Sequence, residues 1–122
     1  MSKKILVVED TEDNRQILRD LLSMAGYVMV EANDGAEGVA KAAEHKPDLI
    51  LMDIQMPVMD GYEATRRIKA DPALKSIPII AVTSYALSGD EEKTRAAGCD
   101  GYIAKPYSPR QMLAKVREVL GA

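Results

Sequence analysis

Five short apolar runs, each followed by a stretch with helical spacing, leave this chain few folds to choose from. The runs are Lys4 to Glu9, Tyr27 to Ala32, Asp48 to Asp53, Ile77 to Thr83 and Gly101 to Ala104. Strands alternating with helices in this way are the pattern of repeated βα units, in which parallel strands are covered on both faces. A length of 122 residues is that of one domain, so a single unit over the whole chain, without a second functional module, is expected. There is no internal repeat, low-complexity stretch or linker.

Between the runs, apolar residues recur at helical spacing: Ile17, Leu18, Leu21, Leu22 and Ala25, then Ala36, Val39, Ala40 and Ala43, and finally Met112, Leu113, Val116 and Leu120. Each set is read as the core face of a helix. Helix starts are marked by Asp34, Asp60, Ser88 and Ser108, each followed three residues on by Glu or Gln, the spacing of a capping box. Pro109 strengthens the last of these. Gly26 and Gly98 fall where a left-handed residue closes a helix before the next strand. The helix from about Gly89 to Ala97 is mostly charged, with Ala96 and Ala97 left to bury. Weak packing of that kind marks the low-stability end of a fold, from which moving elements are drawn.

Composition removes several function classes. Sixteen Lys and Arg against 19 Asp and Glu give a net charge of −3, and the one dense basic run, Arg66-Arg67-Ile68-Lys69, is read as an exposed helix face. Direct nucleic-acid binding is therefore not expected. Cys99, the single cysteine, suits a reducing compartment and reads as a small buried hydrophobe. No apolar run approaches the ~20 residues of a membrane span, and the Met1 start carries no cleavage signal. A soluble, cytoplasmic chain is expected, with no membrane insertion.

The chemistry gathers at the ends of the runs. Glu9 and Asp10 follow the first, Asp53 ends the third, and Thr83 and Lys105 close the last two. In one parallel sheet these carboxyl ends surround a single crevice, where open α/β sheets hold ligands. Two like charges ~4 Å apart at an effective dielectric of ~20 repel by about 4 kcal/mol, so three carboxylates need a cation or a raised pKa. Carboxylate oxygens without nearby His or Cys suit magnesium better than zinc or copper. Asp53 is the candidate nucleophile, since an aspartate can take a phosphoryl group as an acyl phosphate. Asp10 would hold the metal, Lys105 would neutralise charge, and Thr83 would offer a hydroxyl. Taken singly, each has a bland alternative: Glu9 and Asp10 cap a helix, Thr83 ends a strand, Lys105 is solvated.

The motifs Val-Val-Glu9-Asp10, Leu-Met-Asp53-Ile-Gln-Met56-Pro57-Val-Met-Asp60-Gly61, Ala-Val-Thr83-Ser84 and Tyr102-Ile-Ala-Lys105-Pro106 together resemble the receiver domains of two-component response regulators, of the single-domain chemotaxis-regulator or cell-cycle-regulator type. The resemblance runs the whole chain. It implies a flavodoxin-like, doubly wound, five-stranded parallel sheet of order 2-1-3-4-5 with five helices. It further implies that Asp53 is the phosphoacceptor and that Glu9 and Asp10 are the acidic pair. A magnesium ion is then held by Asp10, Asp53 and the main-chain carbonyl of Gln55. Thr83 and the Ser84 backbone would bind the phosphoryl group, Lys105 would pair with it, and Tyr102 would switch rotamer with Thr83. Lys105-Pro106 would be a cis peptide, and Gln55 and Tyr85 would tune phosphoryl lifetime. The implied partners are a histidine kinase or histidine phosphotransfer protein and a downstream signalling protein, the latter meeting the fourth helix, last strand and last helix. Such a protein modifies itself rather than turning over substrate, as a monomer or a phosphorylation-dependent dimer.

Glu9 stands where the family often has Asp, which lengthens one acid without removing its charge. A flavin or nucleotide binder would need a glycine-rich cradle, whereas Asp10-Thr-Glu-Asp13 is acidic. An aspartyl-phosphate hydrolase lacks any inferable substrate pocket, and a degenerate receiver would lack site side chains present here. His45 is read as an uncoupled surface imidazole. Tyr27 and Tyr62 are read as packing residues, Tyr85, Tyr102 and Tyr107 as a cluster near the readout face, and the seven methionines as mostly core.

Overall fold

The computed structural model describes residues 3–56, 58–83 and 90–121. Strands β1 (Lys4–Val8), β2 (Val28–Ala32), β3 (Leu49–Asp53), β4 (Ile79–Thr83) and β5 (Gly101–Ala104) alternate with helices α1 (Glu12–Met24), α2 (Gly35–His45), α3 (Gly61–Ala70), α4 (Asp90–Ala97) and α5 (Pro109–Leu120). All strand pairs are parallel and the order is β2-β1-β3-β4-β5. This is the expected flavodoxin-like arrangement. The strands begin up to two residues later than the apolar runs, and β1 stops at Val8, before Glu9.

Every residue of β3 and β4 is buried, because helices cover both faces of the sheet. Leu6, Ile50, Met52, Ile79 and Ala81 point to one side with Ala64 and Ile68 of α3, while Ile5, Leu49, Leu51 and Ile80 point to the other with Leu18, Leu22, Met112 and Val116. Each buried Leu or Ile contributes about 1.5 to 3 kcal/mol. These layers, not the charged rim, therefore hold the fold together.

Helix ends follow the sequence signals. Asp34 accepts from the Glu37 amide at 2.8 Å and Asp60 from the Glu63 amide at 2.9 Å. Ser108 and Gln111 form the full capping box, at 3.1 and 2.7 Å. Gly26 and Gly98 take φ of 89° and 106° just past α1 and α4, as expected of left-handed closers. The Ser88 cap lies outside the described residues.

Packing corrects four expectations. The core face of α2 is Gly35, Gly38 and Ala42 with Val39 packed beside them as expected, while Ala36, Ala40 and Ala43 are exposed. A Cβ on Gly38 would stand 2.8 Å from Val8 Cγ2, so the helix lies too close to β1 for the alanine stripe to face inward. In α4 the buried residues are Thr94 and Ala97, at i, i+3 spacing, and Ala96 is exposed. Ile17 is 56% exposed, so the first apolar stripe is narrower than expected. The methionines are mostly core as expected, with Met52 and Met112 fully buried, Met29, Met56 and Met59 packed against the core, and Met24 exposed. His45, half-buried at the end of α2, lies 3.7 Å from the Glu44 carboxylate, so it does not stand apart from every acid.

Arg66 and Arg67 are exposed and pair with Glu63 at 3.2 and 2.8 Å, as an exposed basic face should. At the opposite side of α3, Lys69 Nζ donates to the Lys75 and Ile77 carbonyls at 3.0 and 2.8 Å and to Asp100 Oδ2 at 2.9 Å. Asp100 Oδ2 also accepts from the Ile79 amide at 2.9 Å. The end of α3 and the starts of β4 and β5 are thus tied to one ammonium.

Candidate functional site

Parallel register assembles the site. Val8 pairs with Met52, Asp53 with Val82, and Thr83 with Ala104, so Glu9, Asp53, Thr83 and Lys105 end neighbouring strands at one edge. Glu9, Asp10 and Asp53 each offer a carboxylate oxygen, and these atoms lie within 4.8 Å of one another. Lys105 Nζ stands 3.5 Å from Glu9 Oε2 and 3.6 Å from Asp53 Oδ1. Its side chain is one-quarter exposed, while those of Glu9 and Asp53 are 5% and 4% exposed.

Two buried carboxylates against one ammonium leave negative charge in excess. Burial, then a hydrogen bond and the charge of Glu9, push the Asp53 carboxyl from its ordinary 3.8 up to about 7, against the pull of Lys105. Burial also works to raise Glu9, but hydrogen bonds with Asp53 and Asn14 and the Lys105 charge outweigh it and lower that carboxyl. Among the described residues Asp53 Oδ1 is sealed from solvent without a hydrogen-bond partner, the Lys105 separation being too long for one. A buried polar oxygen of this kind needs a partner. The three acids, with no His or Cys in the cluster, fit a hard divalent cation.

Thr83 is fully buried at the end of β4, and its Oγ1 accepts from Gln55 Nε2 at 3.4 Å. The Lys105-Pro106 peptide is cis. Tyr102 packs with the α3 layer, whereas Tyr107 packs with the α1 and α5 layer. They lie on opposite faces of the sheet, so the expected tyrosine cluster does not form between these two. Tyr107, its hydroxyl pushed up to about 12 by burial and the charges of Glu9 and Asp53, lines a cavity of about 510 Å³ with Glu9, Asp53 and Lys105. Tyr27 and Tyr62 do pack against the core, and Cys99 is buried beside Thr65. Ser84 and Tyr85 lie outside the described residues.

The sequence reading passed over two residues of the first helical turn. Asn14 Nδ2 donates to Glu9 Oε1 at 3.0 Å, and Arg15 Nη1 donates to the Glu9 carbonyl at 2.7 Å. Their spacing of five and six residues from Glu9 places them one turn into α1, above the end of β1. That spacing was the available signal.

The chain belongs to the response regulator receiver domain family, whose model matches residues 5–117. It is 45% identical to the polar-differentiation response regulator DivK of Brucella anthropi over 121 residues, covering 99% of this chain and 98% of that protein. Among solved structures it resembles the chemotaxis protein CheY4 of Vibrio cholerae, with a TM-score of 0.93, 32% identity and coverage of 98% and 99% of the two chains. It also resembles the receiver domain of the sensor histidine kinase PA1611 of Pseudomonas aeruginosa, with a TM-score of 0.92, 37% identity and full coverage of both chains. That structure has a magnesium ion coordinated in its active site cleft. No helix among the described residues is long and apolar enough to cross a membrane.

Proposed function

We propose that this receiver accepts a phosphoryl group on Asp53 from a phosphohistidine of a histidine kinase or histidine phosphotransfer protein, and that the modified form engages a downstream signalling protein. The observation that carries this reading is the meeting of Glu9, Asp10, Asp53 and Lys105 at one strand edge. In the transfer, a carboxylate oxygen of Asp53 bonds to phosphorus as the bond to the donor imidazole nitrogen breaks. The electron pair stays on that nitrogen, which regains a proton.

Asp10, Asp53 and the main-chain carbonyl of Gln55 would hold Mg2+, with Glu9 as the second member of the acidic pair. When bound, the ion supplies charge neutralisation at the phosphoryl oxygens. The magnesium in the cleft of the Pseudomonas receiver supports the assignment. Lys105 already faces both buried acids, and its charge favours an incoming phosphoryl anion. The Thr83 hydroxyl and the Ser84 backbone are the remaining phosphoryl contacts.

Phosphorylation adds ~1.5 to 2 negative charges and strong acceptors. Thr83 turns toward them, Tyr102 moves into the space released, and α4, β5 and α5 present an altered face. α4 suits that role, since among its described side chains only Thr94 and Ala97 are buried. The chain acts in the cytoplasm as an adaptor that modifies itself, either monomeric or dimerising on phosphorylation.

Incubation with a small phosphodonor and Mg2+, followed by intact mass, tests the reading. One phosphoryl should be gained by the parent chain and none by Asp53→Asn. A gain that survives Asp53→Asn moves the acceptor elsewhere, and no gain in the parent ends the proposal.

A further inference from the structure

The two oxygens of Glu9 are used differently. Oε1 accepts from Asn14 Nδ2 at 3.0 Å and from the Thr11 amide at 3.3 Å, while Oε2 faces Lys105 at 3.5 Å. A glutamate has one more rotatable bond than an aspartate, and a free one would sweep its carboxylate across the site. Here the backbone is also held, by Arg15 on the Glu9 carbonyl at 2.7 Å and by the Glu9 amide on the Ala32 carbonyl at 3.0 Å. With the main chain fixed, the side chain alone decides where Oε2 lies, and of its two Oε1 donors only Asn14 is a side chain that substitution can remove.

We infer that Asn14 is a positioning residue for the metal site: by holding Oε1, it keeps Oε2 of Glu9 turned toward Asp53 and the cation. The inference rests on the magnesium reading above. It is specific to a glutamate at position 9, since an aspartate is one methylene too short to keep both ends of this contact. A pre-placed ligand binds more tightly than one that must be ordered on binding, and loss of one intramolecular hydrogen bond of typical net strength corresponds to roughly threefold to tenfold in affinity.

Mg2+ binding measured by calorimetry in four proteins tests this: the parent, Asn14→Leu, Glu9→Asp and the double variant. Leu matches the shape of Asn without its donor, and a melting curve checks that each variant is folded. Asn14→Leu should weaken Mg2+ roughly threefold to tenfold in the parent background and leave Glu9→Asp unchanged. Equal affinity of the parent and Asn14→Leu would overturn the inference, as would an equal loss in both backgrounds, which would mean that Asn14 does not act through Glu9. Absence of Mg2+ binding in the parent would instead sink the magnesium reading itself.

Discussion

Raising the pH of the metal-free protein should weaken it, because Asp53 holds its proton more tightly folded than unfolded. The ordinary carboxyl value of 3.8 becomes about 7 in the fold. Between those values the folded chain carries a proton that the unfolded chain has released. The stability this provides is complete below the lower value and is lost as pH climbs through the upper one. One proton corresponds to a slope of at most about 1.4 kcal/mol per pH unit, so the full shift has a ceiling of about 4 kcal/mol, a large part of a typical domain's stability. Glu9, lowered from its ordinary 4.5, acts with the opposite sign, and its contribution fades only as pH falls below that value. The upper window therefore belongs to Asp53. Urea denaturation in the presence of a chelator, at steps from about pH 5 to about pH 8, should show the decline in the parent and a flatter profile in Asp53→Asn. Mg2+ should flatten the parent as well, since a cation favours the charged carboxylate. Parallel profiles for the parent and Asp53→Asn would refute the reasoning.

Two substitutions probe the frame around the site. A Cβ on Gly61 would stand 2.3 Å from the Asp53 carbonyl oxygen and 2.8 Å from Ile54 Cα. Since these are backbone atoms that cannot swing aside, Gly61→Ala should cost about 3 kcal/mol in urea denaturation, and a change under about 0.5 kcal/mol would contradict the close approach. Val58 is 85% exposed with φ of 69°, a left-handed conformation that opposes a β-branched side chain. Val58→Gly should raise stability by about 1 kcal/mol, and a loss would show that the valine side chain makes up for its backbone strain.

The fold was legible because its signals are redundant. Apolar runs, capping residues at Asp34, Asp60 and Ser108, and closing glycines at Gly26 and Gly98 all agree on where elements start and stop. The convergence of Glu9, Asp10, Asp53 and Lys105 was legible too, since parallel strands bring their ends to one edge. Helix faces were less so. Alanine pattern suggested one side of α2, yet Gly38 is the residue that touches Val8, because closeness to β1 favours the absence of a side chain. Asn14 was missed because an asparagine in the first turn of a helix has many ordinary uses. Its reach back to Glu9 depends on how α1 sits over the end of β1.

Lys69 makes three distant pieces of the chain interdependent. Its ammonium holds the α3–β4 loop through Lys75 and Ile77, and the entry to β5 through Asp100, which in turn holds Ile79. Opening β5 alone would strand that cation, 19% exposed, without its carboxylate, so the end of α3, the start of β4 and the entry to β5 should exchange their amide protons together.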